Sequence, residues 1–303
     1  MIHKVLHILT CSVLIMVPAL TLTAQADSTN NLEATILELS DGEIRVELWN
    51  ETMAIVPLGD DMVLKMERHD GRIKIWQTTL EVAESSSENL PPPLHDNEIN
   101  TFDDRAAEIR LLDANFDQKV DLLVETGIGY GGVNVFYDLY LQGADTLEAN
   151  AAVKDLSNPE FNAGLKQILT SSRSGPHWYF SVYEMADNRP YKRLLTTNVG
   201  DGIEYSKFML PSGTLDRELI TNALADNPNN WKPITIKIPQ KTTIPLFLEP
   251  DAASQNGSLQ GGSVFLRRIS QDRQHILVEH VPSLQTGWID LSLLKLPDGL
   301  GLY

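Results

Sequence analysis

The sequence predicts an all-β protein, because hydrophobic and polar residues alternate along most of the chain after its first 30 residues. In Ile44–Leu48 apolar and charged side chains alternate strictly, and Asp41-Gly42 separates this run from the strand-like run Thr-Ile-Leu-Glu-Leu at 35–39. A period of two around an Asp-Gly turn is typical of a β-hairpin. The same device recurs at Asp70-Gly71. We therefore expect hairpin-built antiparallel sheets.

Further strands are predicted at 108–112, 122–124, 133–141, 167–170, 178–185, 193–197 and 234–238. The segment 84–100 carries three consecutive prolines, so we expect a loop there. One segment, 215–225, has helical spacing, with Leu215, Leu219 and Ala223 on one face and Thr214 as candidate N-cap. These patterns predict one helix within an otherwise β-rich chain.

The first 26 residues predict export. Lys4 precedes an apolar run at 5–22, and Ala24-Gln25-Ala26 ends just before Asp27. This order is typical of a signal peptide with a small-residue cleavage site. A membrane anchor needs about 20 uninterrupted apolar residues, and Cys11 lies too early in the run for a lipoprotein signal. We expect a periplasmic or secreted product without a membrane span.

The mature chain is therefore expected to begin at Asp27. Intact-mass measurement of protein recovered from the periplasm checks this expectation. A retained Met1, or lipid attached to Cys11, would rule out the export model.

Charge and cysteine content exclude several classes of protein. The chain has 24 Lys and Arg against 41 Asp and Glu, a net charge of −17. Such a surface repels nucleic acid and attracts cations or basic proteins. The alternative is that the acidity only maintains solubility or reflects a saline habitat. Cys11 is the single cysteine and leaves with the signal peptide, so neither a disulfide framework nor a thiol nucleophile remains. We expect no nucleic-acid partner.

The most specific motif is an acidic loop that predicts a calcium site. Oxygen-bearing side chains occur on alternate residues at Asp113, Asn115 and Asp117, and again at Asp121. Lys119 would contribute its main-chain carbonyl. Calcium takes six to eight oxygen ligands, and a tight loop with acceptors on alternate residues places them around one point. The alternative is a solvated Asp/Asn turn.

The loop is not predicted to be an EF-hand. Its flanks are short hydrophobic strands instead of long amphipathic helices, and Val124 stands where the terminal glutamate would be. Gln118 occupies the position where glycine usually makes the sharp turn.

No catalytic machinery is recognisable, so the chain is not predicted to be an enzyme. The glycines at 127–132 precede a β-branched and aromatic run, whereas a phosphate loop needs a helix there. Of the histidines that survive processing, namely His69, His95, His177, His275 and His280, none forms an H-x3-H pair, and there is no G-x-S-x-G elbow. A carboxylate pair of a glycosidase, distant in sequence, stays open.

An ordered set of segments resembles a known family. The matching segments are 112–117, 120–122, 137–141, 156–161, 169–175 and 179–183. They are similar to periplasmic calcium-binding proteins of β-propeller-like fold, related to inhibitors of invertebrate-type lysozyme. Some of these serve as immunity proteins against secreted peptidoglycan hydrolases. The resemblance covers somewhat less than half of the mature chain and implies a calcium-bearing β domain over 32–230.

The resemblance also implies inhibition by a protruding loop. Such inhibitors insert a Ser-Gly-x-x-Tyr loop into the lysozyme cleft, and the nearest match here has Ser174 and Gly175, with Trp178 in place of the tyrosine and Tyr179 next to it. These four residues are the candidate partner contacts. The alternative is that Trp178 and Tyr179 only alternate between the two faces of a strand.

The C-terminal segments 243–250, 262–266, 276–278 and 286–289 resemble a bacterial Src-homology-3-like barrel. This resemblance implies a small barrel over 234–297, in which Trp288 packs against the core. Such modules bind cell-wall peptides or dock other domains.

Together these features give competing functional expectations. The first is a periplasmic calcium-binding inhibitor or immunity protein against a lysozyme-like peptidoglycan hydrolase. The second is a cell-envelope binding module that recognises peptidoglycan through the barrel. A hydrolase without a recognisable motif is the third. The acidic charge favours the first, because such hydrolases are often basic and the wall is anionic.

Overall fold

The computed structural model describes residues 24–25, 34–39, 42–59, 61–85, 89–99, 105–148, 151–200, 202–223, 228–250, 252 and 255–294. Most of the expected signal peptide and its cleavage site lie outside these residues. The prediction of an all-β fold is confirmed, because the described residues form antiparallel sheets, one short α-helix, α1 (Leu80–Glu84), and a few single-turn 3-10 helices. No helix among them is long and apolar enough to span a bilayer.

The described strands follow in chain order. They are β1 (Ala24–Gln25), β2 (Thr35–Glu38), β3 (Ile44–Leu48), β4 (Thr52–Gly59), β5 (Met62–His69), β6 (Arg72–Thr79), β7 (His95–Glu98), β8 (Ala107–Leu112), β9 (Asp121–Gly129), β10 (Asn134–Tyr140), β11 (Val153–Ser157), β12 (Glu160–Asn162), β13 (Gln167–Ser174), β14 (His177–Ala186), β15 (Arg189–Gly200), β16 (Ile203–Met209), β17 (Leu215–Asn222), β18 (Lys232–Pro233), β19 (Thr235–Phe247), β20 (Gln255–Ile269), β21 (His275–His280) and β22 (Thr286–Asp290).

The strands form three open sheets and one closed barrel. The first sheet has the order β1-β4-β5-β6-β7, and the second has the order β11-β10-β9-β8-β3-β2. The third is a meander from β12 to β18, and the barrel consists of β19 to β22. Sequential antiparallel neighbours dominate because two-residue turns such as Asp70-Gly71 connect adjacent strands directly.

The second sheet is buried on both faces. Leu122 and Val124 pack into a core shared with the first sheet, which contributes Met66 and Ile75. Leu123, between them in β9, packs into a core shared with the third sheet. Successive side chains of a strand point to opposite faces, so three consecutive apolar residues are what a doubly covered strand requires. The barrel packs against the third sheet, because Ile220 of that sheet belongs to the same hydrophobic core as the barrel residues.

The predicted helix at 215–225 is wrong in its described part. Leu215–Asn222 is strand β17, paired antiparallel with β16, with Lys207 opposite Glu218. A tight turn at Ser212-Gly213 sends the chain back along β16, and Gly213 donates its main-chain N–H to the Leu210 carbonyl. Leu219 and Ile220 are consecutive and both buried. Packing on both faces of the strand therefore overrode the helical spacing.

The predicted loop at 84–100 is partly wrong as well. β7 lies within it and pairs with β6, with His95 opposite Ile75. The prolines themselves stay outside any strand, and four residues after them suffice to add an edge strand.

His95 makes the fold sensitive to acid. The ring is 2 % exposed, and Nδ1 lies 2.8 Å from the Tyr140 hydroxyl. Burial lowers the pKa of His95 from 6.5 to about 4, with the nearby Asp96 raising it and Lys154 lowering it. Because the folded state binds this proton more weakly, its contribution to stability is lost as the pH falls from 6.5 towards 4.

We therefore expect acidification from pH 7 to about 4.5 to cost the wild type about 2 kcal/mol more than the His95→Gln variant. Urea unfolding of both proteins at the two pH values measures the difference. Equal losses in the two proteins would show that His95 is not the group responsible.

Candidate functional site

The acidic loop lies between β8 and β9, two central strands of the second sheet. Its side-chain oxygens accept hydrogen bonds from the loop's own main chain. Asp113 Oδ1 and Oδ2 accept from the N–H groups of Asp117 and Gln118, each at 2.9 Å. Asn115 Oδ1 accepts from Asp117 N at 3.2 Å, and Asp117 Oδ1 accepts from Lys119 N at 3.0 Å. The chain therefore winds around its own acidic side chains.

Asp121 is the buried member of this set. Its side chain is fully inaccessible, and it accepts hydrogen bonds from the main-chain N–H groups of Ala114, Asn115 and Gln142 at 2.8 to 3.2 Å. Burial raises the pKa of Asp121 from 3.8 to about 6, against the lowering effect of those hydrogen bonds. A nearby cation favours the charged carboxylate, so it would offset this cost of burial.

The donor chemistry of the loop fits calcium. The carboxylates and one amide offer hard oxygen atoms, each with more than one lone pair, so an oxygen that accepts an N–H group can also ligate a cation. The ligand atoms of Asp113, Asp117 and Asp121 are not all within 4.8 Å of one another. Calcium binding would therefore require these carboxylates to move closer together.

Among the described residues, the ligand atoms of a different group, Glu51, His69 and Asp70, all lie within 4.8 Å of one another. The His69 ring lies between the two exposed carboxylates, and its pKa is raised chiefly by the hydrogen bond with Glu51. Each ring nitrogen already faces a carboxylate. This cluster is an exposed ion-pair network at two neighbouring turns.

Gln118 adopts the backbone conformation that glycine usually supplies. Its φ is 70°, in the left-handed region. This conformation destabilises a folded protein by roughly 1–2 kcal/mol when the residue is not glycine. Glycine avoids that strain, but the greater freedom of its unfolded chain lowers the free energy of unfolding by about 0.4–1 kcal/mol.

Gln118→Gly should therefore raise the free energy of unfolding in calcium by roughly 0.5–1 kcal/mol. Urea unfolding measures it. Lys166→Gly is the matched control. Lys166 also has a positive φ, 52°, outside this loop, so this variant makes the same change in backbone strain away from the calcium site. A Gln118→Gly protein less stable than the wild type would show that the glutamine side chain is needed.

The predicted contact residues lie at the outer end of the β13–β14 hairpin. β13 and β14 pair along their full length, from Gln167 opposite Glu184 to Ser174 opposite His177. β14 pairs with β15 only from Ser181 onwards. Beyond this ladder, side chains link the two strands: Phe180 N donates to Thr196 Oγ1 at 3.3 Å, and His177 Nδ1 lies 3.2 Å from Asn198 Oδ1. The outer part of the β13–β14 hairpin, residues 171–180, is named here the contact ribbon. Gly175, with φ of 60°, opens its two-residue turn, as in type II′ hairpins.

An arginine lies between two exposed aromatic rings on the contact ribbon. The Arg173 guanidinium is 5.3 Å from the centre of the Tyr130 ring and 6.0 Å from that of Trp178. Tyr130 is 47 % exposed and Trp178 is 38 % exposed. The row continues with Phe180, stacked on Trp178 at 6.5 Å, and with Trp231, edge-on to Phe180 at 5.7 Å.

Hydrogen bonds from the second sheet hold the ribbon in place. The Tyr130 hydroxyl donates to the Gly175 carbonyl at 2.6 Å. The Asn134 amide donates to the Arg173 carbonyl at 3.0 Å and accepts from Arg173 N at 2.8 Å. Asn158 donates to the Ser171 carbonyl at 3.0 Å. The glycine-rich turn at 127–132 thus serves to present Tyr130 beside the ribbon.

The structure brings together part of the predicted contact set. Ser174, Gly175 and Trp178 lie at the end of the ribbon and are exposed. Tyr179 points to the face opposite Trp178, because neighbouring residues of a strand alternate. Arg173 lies within 171–179, the segment predicted as the likeliest contact, but sequence reasoning did not single it out, and it missed Tyr130. Tyr130 is distant in sequence, and hydrogen bonds between the second and third sheets bring it to the ribbon.

Trp288, on strand β22 of the barrel, is a buried side chain. Trp288 is 5 % exposed, and the Arg268 guanidinium lies 5.3 Å above its ring. Trp288 is therefore buried, but the barrel's hydrophobic core contains its neighbour Ile289 and not Trp288, which lies on the other face of the strand.

Comparison with known proteins gives little further information. No family model matches the chain, and no curated protein matches it significantly. One solved structure, described as a Xanthomonas type IV secretion system related protein, is similar over 70 % of this chain and 98 % of that chain, at 14 % sequence identity and a TM-score of 0.30. A similarity of that size does not establish a shared fold.

Proposed function

We propose that this chain is an exported calcium-binding inhibitor or immunity protein that occludes the cleft of a lysozyme-like peptidoglycan hydrolase. The observation that carries the proposal is the contact ribbon, on which Arg173 lies between the exposed rings of Tyr130 and Trp178. Trp, Tyr and Arg are the residues that dominate binding energy at protein interfaces. The exposed turn at 174–178 is the part of this surface that would enter a concave partner.

The charge of this surface supports a protein partner. Among the described residues no carboxylate lies within 4.0 Å of the Arg173 guanidinium, although the chain has 41 acidic residues. Its Nε donates to the Gly175 carbonyl at 3.3 Å, so the remaining N–H groups are the ones available to a carboxylate of the partner. Around it, the acidic surface would steer a basic hydrolase, and association should slow as salt screens that attraction.

Calcium would have a structural role in this proposal. Asn115 of the acidic loop donates its side-chain amide to the Asn188 carbonyl at 3.0 Å. Asn188 lies in the turn that joins β14 to β15, at the end of β14 opposite the ribbon turn. Calcium would therefore fix the base of the strand that carries Trp178 without touching the partner.

The finer features of the sequence-based prediction remain parts of this proposal. They are the propeller-like arrangement, the Src-homology-3-like character of the barrel and the periplasmic or secreted location. Successive sheets that pack face to face support the first of them, and the closed four-stranded barrel supports the second.

The experiment is a pull-down from envelope extract with the mature protein as bait, in calcium and in chelator. We expect calcium-dependent capture of a protein that mass spectrometry and a zymogram identify as a peptidoglycan hydrolase. Trp178→Ala bait should lose it, whereas Leu248→Ala, which truncates a 68 % exposed leucine in the barrel region, should not. Capture of no hydrolase, or equal capture by Trp178→Ala, would contradict the proposal.

A further inference from the structure

A cleft of about 490 Å³ lies beside the acidic loop, away from the contact ribbon. Its walls come from the β4–β5 hairpin, from β6, from the end of the acidic loop and from the segment after β10. The lining residues are Leu58, Gly59, Met62, Gln77, Lys119, Val120, Gln142, Ala144 and Asp145. Pockets for small ligands have volumes of roughly 300–1,000 Å³. The cleft is therefore large enough for a molecule the size of a short peptide.

The acidic loop builds one wall of this cleft. Asp121 Oδ2 accepts from the loop's Ala114 N, and Asp121 Oδ1 accepts from Gln142 N, so one buried carboxylate joins the loop to the opposite segment. The Lys119 ammonium adds a second link by donating to the Gly143 carbonyl at 2.6 Å. The shape of the cleft therefore depends on the loop's conformation.

The lining is amphipathic and carries both signs of charge. Leu58, Met62 and the 47 % exposed Val120 give an apolar wall. Lys119 has no carboxylate within 4.0 Å among the described residues and keeps N–H groups beyond the one that binds Gly143. Asp145 supplies a carboxylate at the same cleft.

Two glutamine side chains, Gln77 and Gln142, add amide groups to the lining of the cleft. Gln77 Oε1 accepts from Leu147 N at 2.7 Å, which leaves its NH₂ group as a donor, and Gln142 lines the cleft next to it. Amide donors and acceptors suit a peptide backbone.

We infer that this cleft binds a short, free peptide with an apolar side chain, and that calcium in the acidic loop strengthens that binding. The peptide's terminal carboxylate pairs with Lys119, its ammonium group with Asp145, and its side chain lies against Leu58, Met62 and Val120. Neither charged end is recognised in a peptide blocked at its termini.

The coupling between calcium binding and peptide binding depends on Lys119. Its main-chain carbonyl is the proposed calcium ligand, and its ammonium lines the cleft. A cation that fixes the main chain of Lys119 reduces the entropy lost when the ammonium binds a carboxylate. Linkage is reciprocal, so the peptide must tighten calcium binding by the same factor. The coupling rests on the proposed calcium site, whereas peptide recognition does not.

The recognition test is a titration of the calcium-saturated mature protein with leucyl-leucine, followed by the NMR amide signals of Lys119, Val120 and Gln142. We expect saturable shifts at these amides. The C-terminal amide of the dipeptide, and the Lys119→Met variant, should each weaken binding by about tenfold or more. Lys154→Met, which removes an ammonium on β11 outside the cleft, should not. No saturable shift up to roughly 10 mM, or equal affinity for the amidated dipeptide, would overturn the inference.

The coupling test is calorimetric titration of calcium with and without saturating dipeptide. We expect the calcium Kd to fall at least about fivefold with the dipeptide. In Lys119→Met, which keeps the main-chain carbonyl, the calcium Kd measured without dipeptide is the reference, and it should not fall when the dipeptide is added. An unchanged Kd would overturn the coupling. Absence of calcium binding altogether would refute the calcium site, and the recognition test would still decide the peptide site.

Discussion

Calcium is expected to raise the melting temperature of the mature protein on the order of 10 °C, and Asp117→Ala to abolish that rise. A ligand that binds only the native state at about a thousandfold excess over its Kd stabilises by roughly 4 kcal/mol. For a chain of this size each kilocalorie shifts the melting temperature by roughly 2–4 °C. Asp117 contributes a central oxygen and a charge, and its Oδ1 also orients Lys119 N. Its removal disrupts two adjacent positions of the site.

Thermal unfolding of chelated and calcium-saturated protein measures this effect, with magnesium as the control for ionic strength. Glu160→Gln is the matched charge control, because Glu160 is exposed on β12, outside the loop. It should keep the full calcium response. An unmodified protein with the same melting curve in calcium and in chelator would contradict the assignment of the site.

Trp178→Ala and Arg173→Gln are each expected to weaken inhibition of the target hydrolase by about 30-fold or more, without changing the calcium response. Truncation of an interface anchor costs roughly 2 kcal/mol or more. Trp178 also supports the guanidinium, so the two changes should not be additive. Tyr130→Phe removes only the hydroxyl that holds the Gly175 carbonyl, and a smaller loss is expected.

Inhibition constants from peptidoglycan lysis measure these losses. Leu248→Ala serves as the control for loss of exposed apolar surface elsewhere, since Leu248 is 68 % exposed. Retained inhibition in both Trp178→Ala and Arg173→Gln would place the contact away from the ribbon.

Local patterns predicted most of the strands because the physics of a strand is local. The alternation in Ile44–Leu48 and the Asp-Gly turns each specify a hairpin without reference to the rest of the chain. The segment from Leu215 shows the limit of such patterns. Its leucine spacing allows a helix or a strand, and burial of Leu219 and Ile220 on opposite faces decided between them. That burial depends on sheets assembled from distant segments.

Only the part of the candidate site that is contiguous in the sequence could be predicted from the sequence. The acidic loop is contiguous, so its residues were visible in the sequence, and the left-handed conformation of Gln118 agrees with the position that glycine usually fills. Arg173 and Tyr130 were not visible, because their proximity depends on the pairing of β13 with β14 and on the Asn134 bridge between sheets. The cleft was hidden for the same reason, since its walls come from separate parts of the chain.

The most direct test of the account is a lysis assay in which the mature protein is added to a panel of lysozymes and envelope hydrolases acting on peptidoglycan. The account predicts that at least one enzyme is stoichiometrically inhibited, that salt slows the onset of inhibition, and that Trp178→Ala restores lysis. The contradictory result is that no enzyme is slowed while the protein sediments with purified cell wall through residues 234–297. That outcome would assign the protein to wall binding through the barrel.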